Sequence, residues 1–201
     1  AGARIVAAPL GRGQQVAAAA AVAGGEIFWI LHADSVVRPG ALRAIGRALS
    51  DPAIAGGNFR LIFDGERRFA RWLAGFYARI RRNGFYYGDS GIFVRRSIYR
   101  QIGGVRPMAL MEDYDLVCRL ERAGPTACIA YPPLVTSSRR FAGRHKVGIV
   151  SFWLVIHLLY RVGASPDFLA RLYRSTQHAP APRRSLWSAA KSYLASFRRQ
   201  S

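Results

Sequence analysis

Three short polar islands close apolar runs in this 201-residue chain, and each contains carboxylates that hydrophobic packing does not explain. They are ILHADS at residues 30–35, YYGDSG at 86–91 and MEDYDL at 111–116. Acids are scarce, 11 Asp and Glu against 30 Lys and Arg, so their clustering is informative. Asp34 is a hard oxygen ligand suited to Mg²⁺ or Mn²⁺, ions that bind through one or two carboxylates plus substrate phosphates. Its alternative role is to cap the helix that follows. Glu112 and Asp113 stand before an amphipathic stretch, where the helix dipole and free N–H groups favour negative charge. Capping accounts for one acid. An adjacent pair fits better with one carboxylate as general base and the other holding a substrate or loop. Asp89 suits the lining of an acceptor site, with Gly88 permitting close backbone approach, or an ordinary turn. Arg139, Arg140, Arg144 and His145 match the oxygens of a pyrophosphate, or form a solvated basic loop. Taken together, these groups are what sugar transfer from a nucleotide donor requires: charge to neutralise a diphosphate and a base for an acceptor hydroxyl.

The elements that must position these groups alternate. A short strand is expected at residues 4–7 and a helix at 14–22, stopped by Gly24 and Gly25. A buried strand follows at 27–31, so His32, Ala33 and Asp34 should emerge at its C-terminal edge, where open α/β sheets bind ligands. Pro39, Leu42, Ile45 and Leu49 mark a second helix, and 58–63 a strand. Phe69, Trp72, Leu73, Phe76, Tyr77 and Ile80 form a stripe on a long amphipathic helix expected to cover the sheet. A strand at 91–94, a helix at 97–102 closed by Gly103 and Gly104, the helix after MED, and strand pieces at 127–131 and 134–136 complete the series. This alternation predicts an α/β fold with a mainly parallel sheet flanked by helices and, beyond it, C-terminal amphipathic helices. The expected divisions are an α/β domain at 1–145, an apolar helical extension at 146–178 and a basic amphipathic tail at 179–201.

The formal charge of +19 points to an anionic partner, unless it is a compositional habit of an Arg- and Ala-rich chain. Membrane lipid ranks above nucleic acid, because the aromatic residues do not alternate with bases in a recognisable nucleic-acid motif. The apolar run at 147–160 is shorter than the roughly 20 residues that span a bilayer. Its flanking bases suit a helix lying on a membrane surface, and core packing on the sheet is the alternative. Cys118 and Cys128 lack the spacing of metal sites or disulfide frameworks, which suits buried thiols in a reducing, cytoplasmic compartment, with peripheral attachment at the inner membrane face. No signal peptide is visible, and the first residues read like the middle of a protein.

The segments PLGRGQQ, FWILHADSVVRPGAL, GDSGIFVRRSIYRQIGG, MEDYDLVCRLERAG and TSSRRF, in that order, resemble family 2 glycosyltransferases of the A-type fold, in particular a small bacterial group associated with arsenosugar biosynthesis. The likeness covers about residues 2–174. It implies a nucleotide-diphospho-sugar transferase fold, incomplete at the N-terminus because the two strand and helix units that grip base and ribose have no counterpart. It also implies a DxD-like element for metal and diphosphate, occupied here by His32, Ala33 and Asp34, so that His32, Asp34, Arg139 and Arg140 would meet the donor. Asp113 would be the base of an inverting reaction, Glu112 its neighbour, Gly88 and Asp89 the acceptor side, and Mg²⁺ or Mn²⁺ the cofactor on Asp34. The donor would be a nucleotide sugar, the acceptor is left open, and weak or absent activity is expected of a chain lacking the upstream segment. The competing expectation is a noncatalytic basic module that keeps the fold and binds anionic membrane or nucleic acid. A hydrolase using the same carboxylates ranks below both, since Asp34, Asp89 and Asp113 show no acid and nucleophile assignment.

Overall fold

Strand order in the sheet is β1-β3-β2-β4 in the computed structural model, which describes residues 2–65, 67–138 and 146–177. The strands are β1 (Ile27–Ile30), β2 (Gly56–Phe63), β3 (Ile92–Arg95) and β4 (Thr126–Thr136). The first unit of the chain, Ala1–Gly143, also holds α1 (Arg12–Val22), α2 (Ala41–Ala48), α3 (Arg67–Arg81), α4 (Arg96–Gln101) and α5 (Glu112–Ala123). The second, from Arg144 onward, holds α6 (Lys146–Arg161) and α7 (Pro166–Gln177).

The sheet is mixed, which corrects the expectation of a mainly parallel one. β3 runs antiparallel to both β1 and β2, and only β2 and β4 pair in parallel. A helix between two strands is read from sequence as a crossover, yet α3 and the residues after it lead from β2 into an adjacent strand of opposite direction. Periodicity carries no sign for strand direction, so both connections look alike in sequence.

Side-chain alternation builds a core on each face of the sheet. On one side Phe28, Ile92 and Val94 join Leu116, Val117 and Leu120 of α5, with Tyr99 of α4 and, partly buried, Val16 and Ala20 of α1. On the other side Phe59, Leu61, Phe93 and Leu134 meet Ala41, Ala44, Ile45 and Leu49 of α2 and the residue after it. Leu116, Val117, Leu120 and Phe93 are fully enclosed, each contributing about 1.5–3 kcal/mol of hydrophobic stabilisation. Of the residues whose spacing marks α2, Ile45 and Leu49 are buried while Leu42 is 73% exposed, and Ala41 and Ala44 complete the inward face.

Two further sequence expectations change. Residues 4–7 form no strand, and Ile5 is 94% exposed. A short apolar run satisfies strand spacing but not the requirement for a ladder partner. The two pieces expected around 127–136 are one strand, β4, whose register against β2 shifts between Phe59 and Leu61 as Pro132 and Pro133 interrupt the ladder.

Gly57 is fixed by the centre of this sheet. A Cβ there would strike the carbonyl oxygen of Ala127 on β4 and lie 2.8 Å from Phe93 Cζ on β3. Gly57→Ala therefore forces β2 away from a neighbour on each side, and chemical denaturation should register a loss of about 2 kcal/mol. An unchanged midpoint would show that the strands yield without cost.

In the second unit, α6 packs on α7 with Phe152 and Tyr173 stacked at 6.0 Å. Val147, Leu154 and Leu158 of α6, and Val162 beyond it, are exposed. No helix among the described residues is long and apolar enough to cross a membrane. The basic tail expected at 179–201 lies outside the described residues.

Candidate functional site

Register explains why two distant polar islands meet. β1 and β3 pair antiparallel from Ile27 with Arg95 to Ile30 with Ile92. Continued by two residues, the same register brings His32, just past β1, opposite Ser90, just before β3. The 3-10 turn Gly88–Ser90 thus sits beside the loop that follows β1. A Cβ on Gly88 would lie 2.9 Å from His32 Nε2 and would collide with the Arg12 guanidinium. Glycine at 88 is what lets backbone, imidazole and guanidinium share one spot.

The third island arrives through α5, which begins at Glu112. Met111 just before it adopts a left-handed backbone, φ 70°, rare for a side chain of its size. The turn of chain that follows delivers Glu112 and Asp113 to the same place. Gly88 N–H donates to Asp113 Oδ2 at 2.9 Å, and Tyr114 N–H donates to Oδ1 at 2.8 Å.

Arg12 completes the cluster. At the start of α1 its Nη2 lies 2.8 Å from Asp113 Oδ2 and its Nε 2.9 Å from Glu112 Oε1, so one guanidinium holds both carboxylates. Close helix approach permits this. A Cβ on Gly13 would stand 2.6 Å from Arg106 O and 3.3 Å from Glu112 Cβ, so glycine there lets α1 sit on the loop leading into α5.

Electrostatics separates the two acids. Burial opposes charge on Asp113, but Arg12, Gly88 N–H and Tyr114 N–H outweigh it and hold the carboxyl below its usual range. Glu112 is pushed up, first by burial and then by Asp113, with Arg12 only partly offsetting. Two adjacent carboxyls driven apart in this way are a recurring acid and base arrangement. Here Asp113 is the more acidic member.

Asp89 lies on the same turn as Gly88 and accepts a hydrogen bond from Tyr77 of α3 at 3.0 Å. Burial, then the charge of Asp89, raises the Tyr77 phenol well above its normal range, so it stays a donor. Tyr87, whose phenol is likewise raised by burial and then by Asp113, packs its ring between Tyr77 and Tyr114 at 6.4 and 5.9 Å. The carboxylates are thus walled by aromatic rings.

Asp34 lies on a turn closed by Ser35 N–H donating to His32 O at 3.1 Å, and it is half-buried. Ser35 Oγ beside it is buried without a hydrogen-bond partner among the described residues. Among those residues no three His, Cys, Asp or Glu side chains converge as a metal cage. Among the described residues, Asp34 with the neighbouring Ser35 hydroxyl fits a hard cation completed by phosphates and waters rather than one held by these side chains alone. Arg139, Arg140, Arg144 and His145 lie outside the described residues.

Two roles carry little mark in the sequence. Arg12 is one of 30 basic residues, and its signal is the placement between Gly11 and Gly13 at a helix start. Asp115, the third acid of MEDYDL, is structural. It pairs with Arg106 at 3.2 Å and with Arg119 Nη2 at 2.5 Å, and Arg119 also donates to Ile102 O. Asp115→Asn should leave the partly buried Arg119 guanidinium without its counter-charge, at a cost of about 1–2 kcal/mol in urea unfolding. Equal midpoints for variant and parent would argue that solvent replaces the pair.

Comparisons with family models, with curated proteins and with solved structures returned no match.

Proposed function

We propose that the chain acts as a family 2-like inverting glycosyltransferase, moving a sugar from a nucleotide-sugar donor to an acceptor hydroxyl. The observation that carries this reading is the convergence of Arg12, His32, Gly88 and the Glu112–Asp113 pair, four separated segments meeting around one ionised carboxylate. In this scheme the acceptor oxygen attacks the anomeric carbon as its proton passes to Asp113. The glycosidic bond to the diphosphate breaks, and the leaving nucleoside diphosphate keeps the electron pair. Positioned charge stabilises that leaving group.

Arg12 has a dual part. At rest it pairs with both Asp113 and Glu112, and its charge beside Asp113 makes that carboxylate a weak base. A donor diphosphate competes for the guanidinium, whose fork matches phosphate oxygens. With Arg12 drawn onto the donor, Asp113 loses its strongest stabilising partner and its proton affinity rises toward that of a working base. Asp34, with Ser35 and the donor phosphates, would hold Mg²⁺ or Mn²⁺, which would polarise the leaving diphosphate. His32, Arg139 and Arg140 would complete the donor side. Gly88, Asp89 and Tyr77 would line the acceptor side.

The test is direct. Donor binding should depend on Mn²⁺ and fall at least tenfold in Asp34→Asn, and proton NMR of the product should show the anomeric configuration inverted. Metal-independent binding unaffected by Asp34→Asn would remove Asp34 from the site, and a retained configuration would exclude Asp113 as base in a single displacement.

The second reading is a noncatalytic module that holds an anionic surface. The exposed residues Val147, Leu154 and Leu158 on α6 favour it, since they lie along one side of a 16-residue helix. Steep loss of binding with salt and no response to nucleotide sugars would select it.

A further inference from the structure

The long helix α3 does more than cover the sheet. Ala70 and Leu73 are buried on its inward side, with Leu73 fully enclosed. At about 100° per residue, positions 68, 71, 75, 79 and 82 fall on the opposite side. Arg68, Arg71 and Arg79 of the helix, and Arg82 just beyond it, are exposed there, and none forms an ion pair among the described residues. The segment Arg67–Arg81 contains no acid.

Along the edge of this basic face runs a ladder of rings. Phe69 stacks on Trp72 at 5.7 Å and Trp72 on Phe76 at 5.9 Å, and Trp72 is 52% exposed. An exposed indole bordered by exposed arginines is costly to leave in water and well suited to a lipid headgroup layer, where Trp and Arg place their apolar bodies inward and their polar tips outward.

We propose that this face of α3 docks on an anionic bilayer. Charge complementarity commits the occupant: four exposed arginines with no ion pair among the described residues, on a chain of net charge +19, repel a second copy of the chain. The aromatic residues of this helix do not alternate with bases in a recognisable nucleic-acid motif, which disfavours single-stranded nucleic acid. The surface is distinct from α6 and does not depend on the transferase reading.

Vesicle binding by the full 201-residue chain tests it, followed by co-sedimentation and tryptophan emission. The probes are phosphatidylcholine vesicles, and the same vesicles with roughly a third of the lipid replaced by phosphatidylglycerol. Binding is expected only with the anionic lipid, with a blue shift of emission that disappears in Trp72→Phe and persists in Trp153→Phe and Trp187→Phe. The triple variant Arg68→Gln, Arg71→Gln, Arg79→Gln should lose about tenfold or more in partitioning, with an unchanged thermal midpoint because all three side chains are exposed. Full binding by the triple variant, or a shift carried by Trp153 or Trp187, would overturn the proposal. So would self-association or RNA binding in place of vesicle binding.

Discussion

Asp113→Asn should lower turnover of a nucleotide-sugar donor by about 10²–10⁴-fold, the range expected when a positioned general base is removed. Asparagine keeps the shape and one acceptor oxygen, so Gly88 N–H can still be satisfied and Arg12 still has Glu112. The folded state should therefore survive with a modest loss of stability, and circular dichroism separates that loss from the kinetic effect. Donor affinity should change by no more than a few-fold, because Asp113 touches the acceptor proton rather than the diphosphate in the proposed scheme. A variant equally impaired in donor binding and turnover would assign Asp113 to holding the site together instead.

The second large effect is expected at Arg12. Arg12→Ala leaves two adjacent carboxylates, both shielded from solvent, with no cation between them. Breaking a fully buried pair costs about 3–5 kcal/mol, and the partial exposure of Arg12 places this case near about 3 kcal/mol. The pH dependence has a definite sign. In the parent chain Asp113 lies below its usual range, so its contribution to stability is present above the ordinary carboxylate pKa and is lost as pH falls through the lowered value. Without Arg12, burial and mutual repulsion push both carboxyls upward, and protonation favours the folded variant. The deficit of Arg12→Ala should thus be greatest near neutrality and shrink on acidification through the carboxylate range. Urea unfolding at a series of pH values checks this, and a deficit that grows on acidification would contradict the assigned ion pairs. Turnover should fall as well, because the proposed scheme passes the same guanidinium to the diphosphate.

How much of this was legible in the sequence depended on the kind of signal. Glu112 and Asp113 stand out because acids are rare and these two are adjacent, His32 because it ends an apolar run, and Gly88 because glycine beside Asp89 permits close backbone approach. Their meeting point was less visible. It follows from the antiparallel register of β1 and β3, and nothing in the spacing of apolar residues distinguishes that pairing from a parallel one. Arg12 was hidden by abundance, since an arginine among so many has no local mark of its role. Asp115 shows the converse difficulty: as an acid in the same motif it looks equivalent to Asp113, and only the positions of Arg106 and Arg119 make it structural. Along α3 the periodicity located the helix, yet stripe residues were counted inward together. Trp72 lies far enough round the helix to stay exposed while Leu73 is enclosed.

The proposed Asp113-dependent transfer is tested most directly by incubating a panel of nucleotide sugars with Mn²⁺ and following donor consumption. Parent and Asp113→Asn proteins would be compared as the 201-residue chain and as a form extended upstream. The expected result is consumption of at least one donor by a parent form and its loss in the matching Asp113→Asn form. Consumption at the same rate in both, or none by either parent form, would contradict the assignment of Asp113 as the base of a sugar transfer.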